Sequence, residues 1–71
     1  MNGKMIKNYK GYKIIVEYSE NGNVYTVKCI KLAQEIKPGV IEDVMVFNYV
    51  DYAAKNMDDA ISEIKNKIKK L

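Results

Sequence analysis

The chain has 71 residues, 48% of them hydrophobic and 30% charged, which is the composition of one small globular domain and not of a disordered segment. Twelve lysines against nine acids leave a formal charge of +3, and there is no arginine to supply the planar fork on which direct base reading leans. Zero histidines and a single cysteine exclude an internal disulfide, the usual zinc sites and Ser-His-Asp or Cys-His catalysis.

Residues 1–4 carry no pattern, and residues 1–9 are expected to form a frayed N-terminal segment of a single domain spanning residues 1–71, with Met5 as an alternative natural start to Met1. No stretch has the roughly 20 apolar residues a bilayer span requires, nor the pattern of a signal peptide, so a cytoplasmic setting is expected.

From Tyr12 to Lys31 two alternating runs face each other across Ser19-Glu20-Asn21-Gly22-Asn23. Asn-Gly suits a type I′ hairpin turn, with positive φ at both central residues. Counting outward from it pairs Tyr18 with Tyr25, Val16 with Val27, Ile14 with Cys29 and Tyr12 with Lys31, an almost wholly apolar face. Its reverse pairs Glu17 with Thr26, Ile15 with Lys28 and Lys13 with Ile30, a mixed face that can meet water. Side chains alternate along a strand, so a slip of one residue would send Val27 and Cys29 to the wrong side. Cys29 therefore reads as a small core hydrophobe, and Tyr12, Tyr18 and Tyr25 as core tyrosines.

Residues 32–39 lose the alternation and read as a polar connection, with room for a turn of helix, ending in Pro38-Gly39 placed for a type II turn. Ile41 to Tyr52 is rich in β-branched and aromatic residues, a third strand. Strict alternation puts Met45, Phe47 and Tyr49 on one face and Val44, Val46 and Val50 on the other, although a bulge near Asn48 would switch the sets.

Asn56 then reads as a helix N-cap with Asp58 and Asp59 in the first turn, where the helix dipole favours negative charge. Met57, Ala60, Ile61, Ile64, Ile68 and Leu71 recur at the spacing of one helical face. The expected fold class is α+β in the order β-β-β-α: a three-stranded antiparallel sheet with one C-terminal amphipathic helix packed on one face. At this size a single core gives only about 3–5 kcal/mol of net stability, so a further layer or subunit is expected to help.

The carboxylate pairs Glu42-Asp43 and Asp58-Asp59 read as solvated ends of elements. The isolated glycines build no phosphate loop, and no calcium-loop pattern is present. No catalytic residue, metal ligand or cofactor is expected, and the chain reads as non-enzymatic. With one face of the sheet left open, Ile15, Ile30, Val44, Val46 and Val50 are the candidate partner-binding residues. The partner is a second copy or another protein. Lys65, Lys67, Lys69 and Lys70, near the end of the helix, are candidate nucleic-acid contacts, which would make binding steeply salt dependent.

The hairpin form Tyr-x-Ile-x-Val-x-Tyr in Tyr12, Ile14, Val16 and Tyr18, followed by Gly22, by Tyr25 and Val27, and by a polar-Asp-Asp-Ala helix start in Asn56, Asp58, Asp59 and Ala60, resembles the N-terminal domain of HicB-type antitoxins. That resemblance implies a non-enzymatic protein that blocks a partner through its sheet and helix surface. Independently, the small, lysine-rich, arginine-free style is similar to that of phage and mobile-element inhibitors of host defence complexes, anti-CRISPR proteins included. The expected function is a protein-protein interaction module of inhibitor or antitoxin type.

Overall fold

The computed structural model describes residues 3–71. Four strands, β1 (Gly3–Tyr9), β2 (Tyr12–Ser19), β3 (Val24–Lys37) and β4 (Val40–Asp51), form an antiparallel sheet in sequential order, and one helix, α1 (Met57–Lys69), follows. The sheet thus has four strands and not the expected three. The added strand is β1, which pairs with β2 from Gly3↔Tyr18 to Tyr9↔Tyr12. Its pattern is diluted because it is an edge strand: Met5 and Tyr9 pack against the core, but Lys7 stands between them. The expectations about Met1 lie outside the described residues.

The β1–β2 connection is the two-residue pair Lys10-Gly11, with φ of 49° and 82°. Two positive φ values are the type I′ signature, so this turn matches the right-handed twist of its strands. The turn expected to have that form does not. Between β2 and β3 the register is as expected, Tyr18↔Tyr25, Val16↔Val27, Ile14↔Cys29 and Tyr12↔Lys31. The positive φ, however, falls on Asn23 at 52° and not on Asn21-Gly22. Asparagine tolerates the left-handed region, and the Tyr18 hydroxyl donates to Asn23 Oδ1. The apolar faces set this register, and the loop adapts to it.

The third correction concerns residues 32–37, which continue β3 and form no connecting segment. β3 and β4 meet at the two-residue Pro38-Gly39 turn, where Gly39 takes φ of +79° as a type II turn demands. Beyond Leu32, whose N–H donates to the Gly11 carbonyl at 3.2 Å, β3 has only β4 beside it. At ~3.3 Å per residue the five residues from Ala33 to Lys37 carry this two-stranded arm at most ~17 Å past the body of the sheet. The molecule is correspondingly long, 42 × 23 × 16 Å.

Register shifts explain why alternation failed here. Two residues, Leu32 and Ala33, stand opposite Asp43 alone, and Ile36 is an extra residue near the arm tip. Ala33 holds φ of 53°, and its N–H donates to Asp43 Oδ1 at 2.9 Å. A third shift, between Cys29 and Ile30, leaves Val46 as an extra residue on β4. It is a bulge, two residues before Asn48, and it switches the faces.

α1 begins where the sequence placed it. Asn56 Oδ1 accepts from the Asp59 N–H at 2.9 Å, which satisfies one first-turn donor, and Asp59 Oδ2 accepts from the Lys55 N–H just ahead of the cap at 3.1 Å. Ala60, Ile61, Ile64 and Ile68 bury against Ile14 and Val16 of β2 and Val27 and Cys29 of β3, with Phe47, Tyr49, Tyr12, Tyr25 and Met57 around them. Leu71, at the expected end of the stripe, is exposed.

Candidate interaction surface

Because alternate residues face opposite ways, the sheet has a helix side and an open side, and the register assigns every strand residue to one of them. The helix side carries the rows Met5–Val16–Val27–Tyr49 and Lys7–Ile14–Cys29–Phe47. The open side carries Ile6–Ile15–Lys28–Asn48, Asn8–Lys13–Ile30–Met45 and Lys4–Glu17–Thr26–Val50. No element lies on it among the described residues. Ile6 and Ile15 sit side by side, Ile30 and Met45 do likewise one row on, and the two pairs join on the diagonal. The result is an apolar stripe across the whole width of the sheet, with Ile6 51% and Met45 49% exposed.

The stripe continues onto the arm. Counting from Ile30 and Met45 brings Leu32, Asp43 and the Glu35↔Ile41 pair to the same side, while Val44, Gln34 and Glu42 turn to the helix side. Ile41 is 64% exposed there. The charges on this one face are segregated along its length. The body of the sheet presents Lys4, Lys13 and Lys28 with Glu17, and the arm presents Glu35 and Asp43.

Of the residues expected to bind a partner, Ile15, Ile30 and Val50 share the open side, and Val46 lies in the bulge, partly exposed. Val44 pairs with Lys31 on the helix side and is half-buried. Ile6, Leu32, Ile41 and Met45 belong to the surface and were not anticipated. Ile6 was hidden in a segment expected to fray, and the other three by the bulges that break alternation.

The lysines of α1 divide. Lys65 Nζ lies 5.2 Å from the centre of the Tyr9 ring on β1, and Lys67 Nζ 5.2 Å from that of Tyr49 on β4. These cation–π contacts hold the two on opposite flanks of the helix. Lys69, four residues after Lys65, follows it, and Lys70 follows Lys67. They form no single basic patch.

On the β4 flank an open groove of about 380 Å³ is lined by Tyr49, Asp51, Glu63, Asn66, Lys67 and Lys70. Asp51 is only 4% exposed. Its Oδ1 accepts from the N–H groups of Ala53 at 3.1 Å and Ala54 at 3.0 Å, turning the chain toward α1. Its Oδ2 and the Tyr49 hydroxyl have no hydrogen-bond partner. Two ionised carboxylates can only accept, so a hydrogen bond between Glu63 and Asp51 exists only when Glu63 is protonated. That hydrogen bond is the main cause holding the Glu63 carboxyl above its ordinary range, followed by desolvation and the Asp51 charge, while Lys67 pulls the other way. Burial, helped by the charges of Asp51 and Glu63, pushes the Tyr49 phenol up to about 12. Burial also raises the Cys29 thiol, which is fully enclosed. Among the described residues no three His, Cys, Asp or Glu side chains gather to hold a metal ion, and no helix is long and apolar enough to cross a membrane.

No protein-family model, curated protein or solved structure matches the chain.

Proposed function

We propose that this chain is a non-enzymatic protein-binding module that works through the open side of its sheet. One observation carries the reading. A four-stranded sheet covered by a helix on one side has an apolar stripe on the other, running from Ile6 through Ile15, Ile30 and Met45 and, by way of Leu32 beside Asp43, to Ile41 on the arm. Exposed apolar residues scattered singly need no explanation, whereas a contiguous, charge-rimmed set marks a surface made to be covered. Covering it also supplies the layer that a domain of this size lacks. The inhibitor or antitoxin-like role is the form this module takes in our reading: it occludes a partner's working surface in the cytoplasm. The division of the α1 lysines between two flanks disfavours nucleic acid as the primary ligand.

Capture of partners from the source cells with the wild-type chain and with an Ile15→Asp/Ile30→Asp variant, each with and without nuclease, tests the proposal. Protein association that the variant loses, with its far-UV circular dichroism unchanged, is expected. Association kept by that variant but lost on nuclease treatment, or on replacing Lys65, Lys67, Lys69 and Lys70 by Glu, would overturn it.

A further inference from the structure

We infer that the occupant of the open side is a second copy of this chain, packed face to face about a two-fold axis so that the acidic arm of each copy lies over the basic body of the other. The inference rests on the reading of the open side as a binding surface and names its partner.

Two surfaces of the molecule need cover. The stripe on the body is one, and the arm is the other, because a two-stranded ribbon is at best marginally stable alone. This ribbon exposes Ile36 at 50% and Ile41 at 64% as well as Leu32. Its own body cannot cover it. The arm prolongs β3 and β4 within the same sheet, pointing away from β1 and β2, so only another molecule's face can lie against it.

Charge then selects the partner. The body offers three lysines, Lys4, Lys13 and Lys28, around Ile6, Ile15 and Ile30, with Glu17 as the one acid. The arm offers Glu35 and Asp43 around Leu32 and Ile41, while Lys37 pairs with Val40 across the turn, on the helix side of the arm. A face that is basic at one end, acidic at the other and apolar throughout is self-complementary when two copies run in opposite directions. That is the condition an isologous two-fold interface imposes, since each contact occurs twice. Stacking two copies in the same direction would instead set lysines against lysines. Sheets packed in this way stand ~10 Å apart with their side chains interdigitated, and the stripe supplies unbranched Met45 and four isoleucines for that layer.

Sedimentation equilibrium on five chains tests the inference: the wild type, Ile15→Asp/Ile30→Asp, an arm reversal Glu35→Lys, a body reversal Lys13→Glu/Lys28→Glu, and all three charge changes in one chain. The wild type is expected to be a dimer. Each reversal should raise its dissociation constant by about tenfold, and the combined chain should recover most of that loss, with the differences shrinking at high salt. A monomeric wild type at several hundred micromolar overturns the second copy. If Ile15→Asp/Ile30→Asp still abolishes capture of another protein, the binding-surface reading survives that outcome. A dimer that the isoleucine changes dissociate but neither charge reversal weakens overturns the arm-on-body arrangement. A dimer that none of these changes affects overturns both.

Discussion

Ile14 and Ile15 are neighbours in one strand, identical in chemistry, and they do opposite work. Ile14 is completely enclosed beneath α1, paired with Cys29. Ile15 looks the other way, paired with Lys28 on the open side, and is only half-covered. The same contrast runs through the whole sheet. On the helix side apolar residues are held by a layer supplied by the chain itself. On the open side residues just as apolar have no layer from the chain over them among the described residues, and lysines and acids border them. The lesson is that hydrophobicity of a strand residue does not report its role until its side of the sheet is known.

Exchanging the two positions breaks the comparison most sharply. Ile14→Ala should cost about 2–5 kcal/mol through lost contacts and the cavity left behind. That is most of the net stability expected of a single core this size, about 3–5 kcal/mol, so urea denaturation should find the variant largely unfolded. Ile15→Ala, assayed at concentrations too low for association, should cost less than about 1 kcal/mol. Equal losses at the two positions would mean that the sides are not distinct.

A smaller effect concerns the arm. Ala33 holds a left-handed φ that costs a non-glycine residue about 1–3 kcal/mol. Glycine relieves that strain but adds unfolded-state entropy, so Ala33→Gly should raise stability by about 0.5–1 kcal/mol in the same assay. A loss instead would show that the arm does not need this bulge.

The smallest effect lies beside α1. A carboxyl whose folded pKa is raised contributes stability that is fully present below its unfolded value, about 4.3 for Glu. That contribution is lost as pH rises through the raised folded value. The Glu63 carboxyl is raised, chiefly by its hydrogen bond with Asp51. Relative to Glu63→Gln, the wild type should therefore lose melting temperature on going from about pH 4 to neutrality. A gap that widens in the wild type's favour toward pH 7 would contradict this pairing of carboxylates.

Much of the helix side was legible in the sequence. The β2–β3 register followed from two apolar faces that admit one alignment, and the start of α1 followed from Asn56 and its acidic first turn. The open side was harder to read for a physical reason. No element of the chain packs on it among the described residues, so Ile6 lies beside lysine in an edge strand, and Val46 and Ala33 sit in bulges that shift alternation without altering composition. Val44 was assigned to the wrong side by that cause alone. The Asn21-Gly22 turn was misread in its geometry but not in its position, because the strands hold the register and a longer loop closes it equally well.

The central claim is that the open side is covered by another molecule while the helix side is complete. The nine isoleucines sample both sides. Methyl-labelled isoleucine NMR spectra recorded through a dilution series test the claim most directly. The methyls of Ile6, Ile15, Ile30 and Ile41 should shift together as the concentration falls, with those of Ile14, Ile61, Ile64 and Ile68 unmoved. Spectra that do not change with concentration, or core methyls that shift alongside the open-side set, would contradict it.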